Sequence, residues 1–487
     1  MAIKAGNPDE LKCFFEPESV AVVGASRDPT KYGHSLLKNL IDLGFKGKIY
    51  PVNPKADEIL GLQAYPRVDL VKDDVDLAII LVPAPSVPQV IRDCSKKHVK
   101  GAVICSSGFR ESGEAGQRLE EETVKIAGEA GIRIIGPNTT GVLNTSNNFT
   151  TSFVTLPRLK KGNVAFIAQT GLLAAAAFWW IISTQPFDVS KVVGLGNKCD
   201  VDDAEVLEYL AEDEDTKVIA VYMEGVKDGR KLLSALKRVT KHKPVIILKS
   251  GRSQSGIRAS LSHTGSMAVR DEIFNSVCKQ TGAIRVNGGI EELMDITKAF
   301  ALQPLPKGNK VAIITVTGAG GVMAADECEN QGLELARLSE KTLSFIRDYM
   351  PPWARVNNPL DIEPLFETVG PADSVRIPLE VALEDPSVDS IAILFVAVPR
   401  LIPVFDMKNV IRQVIDRHYQ QQKPILTHLI GFRETVDSWT TTLEEEGILV
   451  FPSIERSIKA LGALWKYQSF KEQKISKKSQ QLCQQNT

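Results

Sequence analysis

The sequence predicts an α/β protein built from three consecutive doubly wound domains. Three similar openings carry that expectation: "SVAVVGAS" (19–26), "NVAFIAQTG" (163–171) and "KVAIITVTGAGG" (310–321). Each is a short β-branched apolar run that ends in glycine and small polar residues, followed by a helical stretch. Runs of this length suit strands buried on both faces of a parallel sheet. A helix after each turn points its N-terminal amides at the glycine-rich loop. A chain of 487 residues is long enough for roughly two to four domains.

Each opening is followed by further strands at βαβ spacing. The first set is "KIYPVN" (48–53), "DLAIILVP" (76–83), "GAVICSSG" (101–108) and "IRIIGPN" (132–138). The second is "KVVGLG" (191–196), "KVIAVYMEG" (217–225), "PVIILKSG" (244–251) and "AIRVN" (283–287). The third is "LELARLS" (333–339), "SIAILFVAVP" (390–399), "PILTHLIG" (424–431) and "ILVFPS" (448–453). Stretches rich in Leu, Glu, Lys and Ala lie between them as helices. The expected domains are 1–150, 158–302 and 308–468, with a polar, frayed tail at 469–487. The linkers end in "TLPRLKKGN" and "LQPLPKGN".

Composition narrows the function classes. The net charge is −1, from 58 basic and 59 acidic residues, so nothing favours nucleic acid or an anionic membrane as partner. No apolar run approaches the length of a bilayer span. "MAIKAGNPDELKCFF" has charges and a proline where a signal peptide would be apolar. The seven cysteines stand singly with no C-x-x-C pair, which argues against zinc, any other metal site, or a disulfide framework. These features predict a reduced, cytoplasmic protein, in which the N-x-[ST] sequons at Asn138, Asn144 and Asn148 are chance matches.

In open α/β sheets ligands bind beyond the carboxyl ends of strands. In "VVGASRDP", Gly24 allows close backbone approach, Ala25 continues the turn, and Ser26 can donate to a phosphate. The next strand ends in Asn53, Pro54 and Lys55. A unit built for NAD has an acidic residue there, so NAD is not expected. Lys55 suits an extra phosphate, the 3′-phosphate of coenzyme A or the 2′-phosphate of NADP. Val82 and Pro83, then Ser106, Ser107 and Gly108, then Pro137 and Asn138, end the later strands. They can line a groove for a long ligand, and none is an obvious acid or base for hydride transfer.

"RASLSHTGSMA" (258–268) holds His263, one of six histidines, among small and hydroxyl residues. A neutral imidazole is a nucleophile at cellular pH. Small neighbours leave room for a phosphoryl group, and Thr264 and Gly265 can bind its oxygens. A nucleophilic imidazole needs its second nitrogen fixed, usually by a carboxylate. Glu224 ends the third strand of the second domain, one strand before the segment with His263. Gln169, Thr170 and Gly171 stand at the mouth of a helix that can cradle phosphate. Asn197 and Lys198 are secondary phosphate candidates. "FWW" (178–180) reads as core or interface. The acidic "DVDDAEVLEYLAEDED" reads as a solvated helix face.

Taken together, these residues resemble the succinyl-CoA synthetase superfamily, and most of all the α subunit of ADP-forming acyl-CoA (acetyl-CoA) synthetases. The resemblance runs from "FFEPESVAVVGAS" to about residue 465. It is most specific in "GNKCDVDDAEVLEYLAED", "VYMEGVKDGRK" and "LKSGRSQSGIRASLSHTGSMA". It implies a Rossmann-like CoA-binding domain followed by two flavodoxin-like domains. It also implies interconversion of acyl-CoA, phosphate and ADP with free acid, CoA and ATP. The path runs through an acyl phosphate and a phosphohistidine at His263, with Glu224 holding the imidazole. Acetate and other short acids are the family's usual substrates.

Relatives tend to S-Q-S-G-A where this chain has A-Q-T-G-L. Thr170 keeps a hydroxyl, and Leu172 alters the acyl pocket. "GPNTTG" lacks the cysteine that often follows the asparagine in relatives, and "TVTGAGGV" lacks a proline. The chain shows no G-x-x-x-x-G-K-[ST] loop and no segment resembling the ATP-grasp fold. The resemblance therefore implies ADP/ATP and magnesium on a separate ATP-grasp β subunit. A catalytically silent CoA-binding regulatory protein, and a CoA-dependent lyase or transferase, are the rival readings of the same scaffold.

Overall fold

The computed structural model describes residues 8–169, 176–264, 270–399 and 404–485, with the backbone alone at 8, 176–177, 260–264, 404–407, 419 and 475–485. All the strands expected above are present. Among the described residues the chain forms two compact units, 1–289 and 290–487.

The first unit contains two sheets. In the first, β1 (Ser19–Val23), β2 (Lys48–Val52), β5 (Leu77–Ile80), β6 (Gly101–Ile104) and β7 (Arg133–Ile135) lie in the order β2-β1-β5-β6-β7, all parallel. β1, β5 and β6 are buried along their whole length, which is why they read as unbroken apolar runs. A small hairpin, β3 (Glu58–Ile59) with β4 (Leu62–Gln63), follows β2. Helices α1 (Lys12–Phe15), α2 (Tyr32–Asp42), α3 (Val87–Lys96) and α4 (Glu114–Ala130) complete this layer.

The second sheet has the order β14-β13-β12-β10-β11-β8-β9. Its parallel strands are β10 (Val164–Ala168), β11 (Val189–Gly194), β12 (Val218–Met223), β13 (Val245–Lys249) and β14 (Ile284–Val286). Its helices are α5 (Ala176–Thr184), α6 (Asp203–Glu212), α7 (Gly229–Val239), α8 (Gln254–Thr264) and α9 (Asp271–Thr281). Asp202 and Asp228 cap α6 and α7 by accepting from backbone amides in the first turn.

β8 (Val142–Asn144) and β9 (Phe149–Thr150) add to β11 antiparallel. The segment that follows the last strand of the first sheet thus extends the second sheet. Hydroxyls such as Thr145 Oγ1, which donates to Val189 O at 2.8 Å, let so polar a segment be buried.

In the second unit, β15 (Lys310–Thr315), β16 (Glu334–Leu335), β18 (Ser390–Ala397), β19 (Ile425–Gly431) and β20 (Leu449–Phe451) are parallel in the order β16-β15-β18-β19-β20. β17 (Leu360–Asp361) pairs with β15. The helices are α10 (Ile290–Leu302), α11 (Gly318–Gln331), α12 (Glu340–Arg347), α13 (Leu365–Glu384), α14 (Val404–Arg417), α15 (Arg433–Glu445) and α16 (Ile454–Gln485). α13 is broken at Gly370, whose φ is 77°.

α10 packs within the second unit, where Glu291 and Asp295 pair with Arg456, and Glu292 with Lys459. One expectation is corrected. The expected tail at 469–487 continues α16 as helix as far as Gln485.

All three sheets share one pattern. Counting only the main parallel strands in chain order, each runs 2-1-3-4-5. In that arrangement strands 1 and 3 send their connections to opposite faces, which opens a crevice beyond their carboxyl ends. No helix among the described residues is long and apolar enough to cross a membrane. No cluster of His, Cys, Asp and Glu among them could hold a metal ion.

Candidate functional site

Those of the residues singled out in the sequence that are described collect at the crevices of the first two sheets. At the first, Gly24 has φ +94° and donates its N–H to Val52 O at 3.0 Å. A Cβ at Gly33, in the first turn of α2, would lie 2.0 Å from Gly24 O. Two glycines therefore let the helix start against the turn, as a backbone phosphate site requires. Asn53 shapes this turn rather than facing away from it: Nδ2 donates to Ala25 O at 2.8 Å, and Oδ1 accepts from Lys55 N at 2.8 Å. Ser26 Oγ accepts from Asp28 N at 3.1 Å. Pro54, Lys55, Pro83 and Ser107 are exposed around it. Arg27, which sequence reasoning passed over, is exposed beside the turn and ties it to the hairpin through Glu58 O at 2.9 Å.

The later strand ends are bound to one another. Ser106 Oγ donates to Val82 O, and Asn138 N donates to Ser106 O at 2.9 Å. Gly108 N and Phe109 N donate to Glu111 Oε1 at 2.7 and 3.2 Å. Burial pushes the Glu111 carboxyl up, but hydrogen bonds from Asn197 and from these amides hold it below the usual carboxylate range.

The loop at 136–141 is laid along the loop at 194–199. Thr139 Oγ1 donates to Gly194 O at 2.6 Å, and Gly194 N to Gly141 O at 2.7 Å. Asn197 N donates to Pro137 O at 2.9 Å. A Cβ at Gly196 would meet Pro137 O at 2.1 Å. Pro137 is buried in this join. The end of the first sheet is thus stitched to the end of the second.

At the second crevice Glu224 follows β12 and is only 6% exposed. Gln169, just after β10, is buried, and its Oε1 accepts from Glu224 N at 2.9 Å and from Gly225 N at 3.1 Å. Gln169 therefore sets the path of the strand end that presents the carboxylate. Tyr222 OH lies 3.2 Å from Glu224 Oε1 and 3.2 Å from Ser250 Oγ. α8 begins a few residues on, capped by Ser253 Oγ, which accepts from Gly256 N at 3.1 Å. Its backbone carries His263 and Thr264 in the last turn, and it lies against the single turn Arg110–Ser112. The side chains of His263 and Thr264, and all of Thr170, Gly171, Leu172 and Gly265, lie outside the described residues.

Two candidates bond within the loop. Lys198 is 3% exposed, and its ammonium donates to Asp203 Oδ2 at 2.7 Å and Gly225 O at 2.8 Å. Asn197 spends its amide on Glu111 Oε2 at 2.6 Å and Glu120 Oε2 at 3.0 Å. Both hold the loop together. The expectation of a solvated face at 200–215 is corrected. Asp202, Asp203 and Glu208 are buried and pair with Lys231, Lys198 and Arg238.

The turn after β15 in the second unit is a packing device. A Cβ at Gly320 would meet Leu394 Cδ1 at 2.7 Å, and one at Gly321 would meet Pro359 Cβ at 2.9 Å. Asn358 of "NNPLD" bonds Val311 O, Ala336 O and Ile313 N at 2.8, 3.0 and 2.9 Å. It locks the sheet where β17 joins. A cleft of about 860 Å³ opens at the amino ends of the first sheet, among Glu18, Asp76, Lys100 and Arg133. It lies at the opposite end from the chemistry, and Lys100 and Arg133 there are already ion-paired.

Comparison with known proteins agrees with this layout. The CoA binding domain model matches residues 18–145, the succinyl-CoA ligase like flavodoxin domain 161–300, and the ligase-CoA domain 311–474. Acetate–CoA ligase [ADP-forming] II of Archaeoglobus fulgidus is 45% identical over 94% of this chain and 67% of its own length. Acetate–CoA ligase [ADP-forming] II subunit alpha of Pyrococcus furiosus is 43% identical over 92% of this chain and 94% of its own. A solved dinucleotide forming acetyl-coenzyme A synthetase 1 from Ca. Korarchaeum cryptofilum, in complex with phosphate and ADP, superposes with a TM-score of 0.88 at 36% identity, covering 96% of this chain and 98% of that one. With three matching domains in order and near-complete mutual coverage of an α subunit, the chain belongs to the family of ADP-forming acetate–CoA ligases.

Proposed function

We propose that the chain is the α subunit of an ADP-forming acid–CoA ligase that works through a phosphohistidine at His263. In the breakdown direction a phosphate oxygen attacks the thioester carbonyl. The C–S bond breaks, CoA leaves with a proton, and an acyl phosphate forms. An imidazole nitrogen of His263 then attacks phosphorus, and the P–O bond to the acyl group breaks to release the carboxylate. The phosphoryl group finally passes from nitrogen to the terminal oxygen of ADP, giving ATP. Glu224 holds the other imidazole nitrogen and steadies the positive charge that builds on the ring.

The observation that carries this reading is Glu224 itself. It is a buried carboxylate whose backbone is fixed by Gln169, placed at the crevice of the sheet, one strand before the connection that holds His263. CoA lies over the Gly24 turn, with Lys55 and Arg27 as cations for its phosphates. Relatives named as α subunits support a separate partner for this chain. We assign ADP and its magnesium to that partner, with an ATP-grasp fold, and place the reaction in the cytoplasm. Short acids, acetate among them, are the expected substrates.

The test is to incubate the chain, alone and with its partner, with acetyl-CoA and radiolabelled phosphate. An acid-labile, base-stable protein label is expected, and His263→Ala should abolish it. No label from any acyl-CoA, with CoA binding intact, would leave a CoA-binding regulatory protein as the better reading.

A further inference from the structure

We propose that Tyr222 is a positioning residue: its phenol holds one oxygen of the Glu224 carboxylate and, through Ser250, couples that carboxylate to the segment leading to His263. The inference rests on the phosphohistidine reading above and concerns how its carboxylate is held.

Register brings the three side chains together. Along β12, Tyr222 and Glu224 are two residues apart, so they share a face of the sheet. Across to β13, Tyr222 pairs with Leu248 and Met223 with Lys249, and the ladder continues with Ser250 N donating to Met223 O at 3.0 Å. Ser250 therefore stands beside Glu224 on the next strand. The phenol oxygen is 3.2 Å from Glu224 Oε1 and 3.2 Å from Ser250 Oγ.

Proton inventory fixes the direction of this chain. A phenol has one proton, and an ionised carboxylate only accepts. Tyr222 thus donates to Glu224, and Ser250 donates to Tyr222. Burial pushes the Tyr222 phenol up, so it keeps its proton at neutral pH. Ser250 is itself fixed, because the turn that follows is gripped from two sides. Lys249, buried at the end of β13, donates to Ser250 O at 3.0 Å and Gly251 O at 3.4 Å. Arg252 donates to Asn287 O at 2.8 Å and Oδ1 at 3.1 Å. The carboxylate and the root of α8 are therefore positioned by one continuous set of bonds.

A carboxylate that loses a neutral donor becomes more basic and holds an imidazolium more tightly. Less neutral imidazole is then present at a given pH. In Tyr222→Phe, with the full chain and its partner, phosphohistidine formation from acetyl-CoA and labelled phosphate should slow about three- to tenfold at its plateau. Its acid limb should move to higher pH by about half a unit. A purely structural loss would lower the amount of folded protein and leave the limb in place.

Ser250→Ala removes only the outer link and should shift the limb the same way by less. If Tyr222→Phe fails to fold, this variant decides the matter. Profiles that superpose on wild type in rate and limb would overturn the role of Tyr222. Wild type that takes no label at all would instead overturn the phosphohistidine reading, so the two failures are distinguishable.

Discussion

A buried ammonium is held in place by what surrounds it, and Lys198 illustrates how strictly. Its partners are Asp203 Oδ2 and Gly225 O, and Asp203 Oδ1 is buried with no hydrogen-bond partner among the described residues. Lys198→Met would leave that carboxylate buried and alone, and breaking such a pair costs about 3–5 kcal/mol. Urea unfolding should show a loss of that size, while activity per folded molecule stays within a few-fold. Unchanged stability with much weaker phosphate binding would return Lys198 to the phosphate site. At this scale, residue type and strand-end position brought out Glu224 and Gln169, while most of the case for His263 came from the family resemblance. They could not reveal that Gln169 braces the Glu224 backbone, that Glu111 bonds Asn197, or that Tyr222 reaches the Glu224 carboxylate. Two of these find partners far along the chain, Gln169 at 55 residues and Glu111 at 86, and no local pattern records such pairs. Tyr222 did leave a trace, since Y-x-E at a strand end puts both side chains on one face. In sequence, a lysine in a glycine-rich loop looks the same whether it faces a ligand or an internal aspartate.

Elements are held at their ends as much as along their faces. Ser339 caps α12, and its own N–H donates to Asp385 Oδ2 at 2.7 Å, just beyond the end of α13. Ser387 adds two bonds to Asp385 Oδ1, at 2.9 Å from N and 2.7 Å from Oγ. Burial pushes the Asp385 carboxyl up, but these bonds and Thr342 hold it well below the usual carboxylate range. A carboxyl depressed on folding stabilises the fold above its unfolded pKa, about 3.9, and loses that contribution as the pH falls below it. Asp385→Asn should lower stability by about 2 kcal/mol at pH 7 and flatten the acid side of the stability curve below about pH 4. Equal acid slopes in variant and wild type would remove Asp385 from this role. The same scale shows what sequence could deliver. Strands buried on both faces announce themselves, so the central parallel strands were legible, and the βαβ spacing found the short edge strands such as β16. The hairpin at 58–63, β8, β9 and β17 are two or three residues long and lie outside that spacing, so no pattern registers them. α6 looked solvated because its cations lie elsewhere in the chain: Lys231 and Arg238 on α7, and Lys198 in the preceding loop.

For the whole molecule the deciding question is where one folding unit stops. A proline-containing linker near 302–309 suggests a boundary there, yet α10 precedes it and packs within the second unit. Ala299 sits in the same apolar cluster as Phe451, Ile458 and Leu461, and Phe300 meets the ring of Tyr467 at 5.6 Å. Lys298 donates to Val450 O at 2.6 Å and lies 4.5 Å above the Phe451 ring. Arg456 and Lys459 reach back from α16 to Glu291, Asp295 and Glu292. A fragment of residues 290–487 retains all of these. A fragment of 303–487 loses them together, exposes the apolar face of α16, and leaves Arg456 without its acids. The removed side chains alone are worth several kcal/mol, at about 1.5–3 kcal/mol for each fully buried large apolar group, which is a large share of a domain's net stability. Fragment 290–487 should therefore unfold cooperatively in denaturant, and 303–487 should melt without a sharp transition and bind a hydrophobic dye. Equal cooperativity in the two would place the boundary at the linker, where the sequence pattern alone puts it.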